Sequence, residues 1–129
     1  TAYNGNNRGI ETAGTTSTSV YNTASFGHAA GADFIGTFAA VDYCASVEGA
    51  GTNAVTITQT ASSYAALVKD APNGNFTITN NSSELYDKAN SATSTAADFI
   101  GTTRATYDIG AFELVVAATG NPWHYYAQQ

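Results

Sequence analysis

The hexapeptide ADFIGT stands at positions 32–37 and again at 97–102 of a chain of 129 residues. Three readings compete for it. The copies are two ligand sites built on Asp33 and Asp98, two equivalent turns of a repeating scaffold, or a coincidence of a composition rich in Ala, Thr and Gly. The offset between the copies divides into three units of roughly 22 residues, within the range of solenoid periods. The scaffold reading therefore sets the frame.

The rest of the sequence reads as β-structure. Asn53 to Thr60 (NAVTITQT) alternates Val55 and Ile57 against threonines, and Asn75 to Asn80 (NFTITN) repeats the device with Phe76 and Ile78. Both have the period of half-buried strands. Thr16 to Phe26 is a weaker strand candidate, β-branched near its start. Two short helical pieces are expected: 62–70, with Tyr64, Leu67 and Val68 on one face behind a serine cap, and 82–89, with Leu85 and Ala89 one turn apart. Turns fall at Asn4-Gly5, Gly49 to Gly51, Pro72-Asn73-Gly74 and Asn121-Pro122. Short strands, frequent turns and small residues predict an all-β domain, and the repeat favours a parallel β-helix over a β-sandwich, whose hairpins need Asn-Gly turns between matched alternating strands.

Composition narrows the functional classes. Ten acidic residues against four basic ones give a net charge of −6, so there is no cationic surface to neutralise phosphates, and nucleic acid and anionic membranes are excluded as expected partners. No apolar stretch approaches the length of a membrane span. Only 11% of residues are charged, which leaves a neutral, hydrogen-bonding surface. Cys44 is alone, so it reads as a buried, inert thiol, with no internal disulfide and no multi-cysteine zinc site. The chain starts at Thr1, not Met, and reads as a processed or truncated product.

Catalytic constellations are sparse. Asp33, Asp42 and Glu48 are the carboxylates that neighbouring coils could bring together, but no dense acidic pairing marks them, and solubilising carboxylates are the simpler reading. His28 lies in a glycine-rich loop and His124 in an aromatic tail, and neither has an i+4 partner for a metal site. No Ser-His-Asp or phosphate-loop spacing is present. No catalytic residue, cofactor or metal is expected. Asn75, Asn80 and Asn81 open glycosylation sequons, which chance supplies in so Asn/Ser/Thr-rich a chain.

The run from Asn75 to Glu113 resembles the closing segment of right-handed parallel β-helix proteins, which reads as a strand, then S-P-x-I-D-x-G, then D-x-x-G-x-x-R, then D-I-G-A-[FY]-E. Ser83 and Asp87 match the first motif, Asp98, Gly101 and Arg104 the second, and Asp108 to Glu113 (DIGAFE) the third without a departure. Glu84 stands where that family usually has Pro, and Ala89 where it usually has Gly, which predicts a more open bend after Asp87. The stretch 75–113 carries the resemblance. It implies a right-handed parallel β-helix over 1–116, with terminal coils capped by about 75–116, followed by an aromatic tail at 117–129.

From this come the expected site residues. Asp98, Gly101, Arg104, Asp108, Gly110 and Phe112 form a structural cap, with Arg104 donating to Asp98, Asp108 or both. Phe99 and Ile100 plug apolar space while Gly101 bends the chain. The apolar phase switches near Gly110, so a bend there sends Ile109, Phe112, Leu114 and Val116 into the core. Trp123, Tyr125 and Tyr126 place three aromatics within four positions and are expected to dock on a neighbouring subunit or partner protein.

The resemblance implies a non-enzymatic structural or adhesive component of an extracellular or virion assembly, such as a bacteriophage fibre, spike or capsid attachment. Homo-oligomeric or other structural partners and a surface glycan are the expected contacts. The alternative is the C-terminal section of a secreted polysaccharide-active β-helix enzyme. A glycan-binding module, a third reading, would show Tyr3, Tyr21 or Tyr43 in an exposed stripe.

Overall fold

The protein is described from a computed structural model that covers residues 1–3, 8–13, 17–28, 33–58 and 61–115, without the side chains of 61–63. It is all-β, with no α-helix among these residues. In chain order the strands are β1 (Ala2–Tyr3), β2 (Ile10–Glu11), β3 (Ser19–Tyr21), β4 (Ser25–Phe26), β5 (Phe34–Ile35), β6 (Ala40–Asp42), β7 (Ala45–Ser46), β8 (Val55–Thr56), β9 (Val68–Asp70) and β10 (Asn75–Ile78). Val116 and the tail with Trp123, Tyr125 and Tyr126 lie outside the described residues.

The first eight strands pair in parallel. Ala2 stands beside Ser25, Ile10 beside Phe34 and Ser19 beside Ala40, so the chain returns alongside itself at nearly constant intervals. A parallel pair usually takes a crossover of a dozen residues or more, and these intervals provide it. The next return is shorter: Ala45 pairs with Val55, and Asp42 bridges Thr52. Gly49 and Gly51, both at positive φ, turn the chain there. A Cβ on Gly51 would lie 2.4 Å from the Val41 carbonyl oxygen, so the chain passes flush against β6.

Corners repeat with the strands. Tyr21, Asp42 and Thr52 stand side by side, and the residues that follow them, Asn22, Tyr43 and Asn53, all take left-handed backbone with φ of 50°, 51° and 48°. The same bend thus recurs on successive passes. Asparagine tolerates this conformation and tyrosine does so rarely, so the stacking must impose it at Tyr43.

Inward side chains make one core. Ala24 bridges Ala45, and Phe26, Ile57, Leu67, Val68, Ile78, Leu85 and Ile109 are buried around them. Tyr3 closes one side, with ring centroids 5.4 Å from Phe26 and 6.0 Å from both Tyr64 and Phe76. Cys44 is fully buried, and burial pushes its thiol up from the ordinary value. The disposition is that of an unreactive core residue.

Beyond β8 the arrangement changes. The expected helix at 62–70 is a 3-10 helix over Ala61–Ala66 followed by β9, which runs antiparallel to β10. Tyr64, Leu67 and Val68 are nevertheless buried together. A strand after Leu67 keeps Val68 inside by pairing with Ile78, which a short free helix could not do. The expected helix at 82–89 is a series of turns that buries Leu85. Ala71–Asn73 is a 3-10 turn closed by Gly74 in the left-handed conformation, as the Pro-Asn-Gly sequence predicts.

Candidate functional site

The C-terminal motifs converge on one buried polar cluster. Asp87 N–H donates to Asp108 Oδ1 at 2.7 Å and Leu114 N–H to Asp108 Oδ2 at 2.7 Å, so Asp108 joins the first motif to the third. Ile109 N–H donates to the Leu85 carbonyl at 2.9 Å and Ala89 N–H to that of Tyr107 at 2.8 Å, sewing the same two segments by main chain. Asp98 accepts from Ile100, Thr102 and Glu113 N–H groups at 3.0, 2.7 and 3.0 Å. Each carboxylate therefore holds a turn.

Arg104 does not donate to the Asp98 or Asp108 carboxylates as the sequence predicts. Its Nη1 reaches Glu113 Oε2 at 2.9 Å and the Asp108 carbonyl at 3.3 Å, and Nη2 reaches the Gly110 carbonyl at 3.3 Å. Glu113, the final residue of DIGAFE, is the partner that sequence reasoning missed. It also accepts from Thr106 N–H and Oγ1 at 3.1 and 3.0 Å, so the whole 104–113 loop closes around it. The lack of any helical or strand period between Arg104 and Glu113 hid the pair.

Electrostatics follow from these bonds. Burial pushes Asp98 up, but the N–H donors of Glu113, Thr102 and Ile100, with the Arg104 charge, outweigh it and hold the carboxyl below its ordinary value. Burial dominates at Asp108 and pushes it up, against the N–H groups of Leu114 and Asp87 and the charge of Arg104.

The cap differs from expectation at its rim. Phe99 and Ile100 do not plug the core: they are 80% and 71% exposed. Gly101 does supply the bend, at φ 86°. Asp98 turns inward to collect N–H donors, and the pair of residues after it points outward. Phe112 is half-buried, not a core residue, and lies against exposed Phe99 with centroids 6.0 Å apart. Ile109 is buried and Leu114 packs on the core. Gly110, at φ 117°, makes the phase switch, and its N–H donates to the Asn22 carbonyl at 3.0 Å.

Glu84 and Asp87 both have local roles. Glu84 accepts from Thr58 N–H at 3.0 Å and so ties the end of the β8 segment to the turns around Leu85. Asp87 itself takes the left-handed bend, φ 51°, so the turn needs no glycine at 89.

Elsewhere Asp33 is buried, not the solubilising surface carboxylate that the sequence suggests, and its Oδ2 accepts from Val47 N–H at 2.8 Å; burial first, then Glu48, push its carboxyl up to about 7, whereas Asp42 accepts from Asn53 Nδ2 at 2.9 Å. Tyr3 belongs to the aromatic core cluster, Tyr21 is exposed and Tyr43 half-buried, so the three form no surface stripe. An open groove of about 490 Å³ lies beside Phe34 and Phe38, with Val41, Ala50 and Gly51 also in its lining. Its lining, among the described residues, carries no charged side chain. Among the described residues no His/Cys/Asp/Glu group could hold a metal ion, and no helix is long and apolar enough to cross a membrane. No protein-family model, curated protein or solved structure matches the chain.

Proposed function

We propose that this chain is a non-enzymatic structural or adhesive component of an extracellular or virion assembly, formed as the terminal coils of a right-handed parallel β-helix. The regularly spaced parallel partners and the stacked left-handed corners support the β-helix reading. The observation that carries the function is the cap: its carboxylates are occupied by main-chain N–H groups and Arg104. Groups so engaged maintain backbone shape and are poorly placed to exchange protons with a substrate. A fibre or spike is a repeat scaffold whose open end must be covered, and this cluster suits that role.

Partners of the same assembly meet the chain through its aromatic tail, with Trp123, Tyr125 and Tyr126 as anchors, and an uncharged surface glycan is accommodated in the groove beside Phe34 and Phe38. Truncation after Thr119, followed by analytical ultracentrifugation and electron microscopy, is the test. Loss of assembly at an unchanged melting temperature supports docking through the tail. Full assembly by the truncated chain, or release of reducing ends or unsaturated sugars from a polysaccharide panel by the intact one, overturns the reading.

A further inference from the structure

In the second copy of the hexapeptide a turn is fixed from both sides. Asp98 accepts the N–H groups of Ile100 and Thr102 at 3.0 and 2.7 Å, Phe99 N–H donates to the Ala111 carbonyl at 2.9 Å, and Gly101 bends the chain at φ 86°. Phe99 and Ile100, 80% and 71% exposed, are the two most exposed large apolar side chains among the described residues, and the Phe112 ring stands behind Phe99. Single apolar side chains on a surface are ordinary. Two neighbours held on a fixed turn and backed by a third ring form an apolar knuckle, already ordered before it meets a partner.

The first copy lines a recess of matching chemistry. Phe34 and Phe38, with ring centroids 6.2 Å apart and planes at 82°, are both half-buried and wall the open groove of about 490 Å³, together with Ala39, Ala40, Val41 and Ala50. That volume lies in the range that apolar ligand groups occupy. No charged side chain lines it, so filling it takes no ion out of water. Within one folded chain the knuckle is exposed and the groove is open, so neither covers the other. A second copy is needed to bring them together.

We infer that Phe99 and Ile100 of one copy seat in the Phe34–Phe38 groove of the next. The inference rests on the reading above that the chain assembles, and it names a surface through which neighbouring copies meet beside the tail. Knuckle and groove are different surfaces, so the contact is heterologous, and repeated from copy to copy it makes a row or a ring and not a closed pair. Two side chains bury far less than a stable interface needs, so the contact sets the register of neighbours that the tail also holds. A groove at the end of a row receives no neighbour's knuckle and stays open to the surface glycan.

The experiment is sedimentation velocity over a concentration series on the wild type, Phe99→Ser/Ile100→Ser and Ala39→Lys, the last placing a charge in the groove. Both variants should keep the wild-type melting temperature and need at least about tenfold more protein to associate. A second measurement locates the contact. Chains carrying Ile100→Cys, which leaves Phe99 in place, are mixed with chains carrying Thr37→Cys and treated with a short bis-maleimide, from which the fully buried Cys44 is shielded. The expected product joins the two kinds of chain; if a variant melts early, this crosslink alone decides. Association of either variant at the wild-type concentration, or absence of the mixed product, overturns the inference, and loss of assembly on truncation after Thr119 in the same series shows that tail docking survives it. Full assembly of the truncated chain beside weakened assembly of both variants overturns tail docking and supports the knuckle contact. A wild type that stays monomeric throughout overturns both.

Discussion

Arg104 and Glu113 form an ion pair of 2.9 Å, with side chains 6% and 2% exposed. A pair so deeply placed is costly to break from one side, because the remaining charge keeps its burial and loses its compensation. Arg104→Ala should cost about 3–5 kcal/mol, and so should Glu113→Ala. A double replacement by Met and Leu should recover much of that loss, since no buried charge then remains. Denaturant midpoints of the three variants check this; singles within about 1 kcal/mol of wild type would show that the loop closes without the pair.

The two phenylalanines at 26 and 112 should behave differently. Phe26 is fully enclosed by the aromatic and aliphatic core, so Phe26→Ala should destabilise by about 3–5 kcal/mol. Phe112 is half-buried against exposed Phe99, so Phe112→Ala should cost under about 2 kcal/mol. Thermal melts of both variants provide the comparison, and an equal loss would contradict the placement of Phe112.

Asn22 clips an early corner to the segment 90–94. Its Nδ2 lies 3.1 Å from the Asn90 carbonyl, 3.0 Å from Thr93 Oγ1 and 2.9 Å from Ser94 Oγ, and its Oδ1 accepts Asn90 N–H at 2.7 Å. Asn22→Ala removes these bonds and puts alanine in a left-handed conformation, an expected loss of roughly 2–4 kcal/mol. Asn22→Gly keeps the backbone relaxed, so the difference between the two variants measures the strain alone. Indistinguishable midpoints would mean that the corner is unstrained.

Acid should unfasten the cap at Asp98. Its carboxyl is held below the ordinary value despite burial, because three N–H groups and Arg104 favour the charged form. A folded value depressed below the unfolded one contributes stability above the unfolded value of about 3.9, and that contribution disappears as pH falls through the folded value. Asp98→Asn should therefore be less stable than wild type at neutral pH and should converge with it in strong acid. A constant gap between the two melting curves across the acid range would rule out the carboxylate's charge as the source.

The physical chemistry of single residues made part of this protein legible. Alternation around Phe76 and Ile78 marked β10, Pro-Asn-Gly marked its preceding turn, and the phase break at Gly110 marked the bend that buries Ile109. The motifs also singled out Asp98, Arg104 and Asp108, which lie in one buried polar cluster. What they could not supply was partnership. Glu113, not Asp98 or Asp108, takes the Arg104 guanidinium, because loop closure decides which carboxylate comes within reach.

The shortest strands carry too little alternation to be seen, and their pairing rests on chain that returns only after a full crossover. The hexapeptide itself is the clearest case. In its first copy Phe34 and Ile35 form β5 because β2 lies alongside to accept them; in the second, Phe99 and Ile100 have no such strand among the described residues and face outward. The glycine bend common to both copies was legible in the sequence, whereas the burial of Asp33, which reads there as a solubilising carboxylate, was not. Whether the two residues between the aspartate and the glycine become strand or exposed turn was decided by the neighbouring chain, which supplies the hydrogen bonds that an extended segment cannot make with itself.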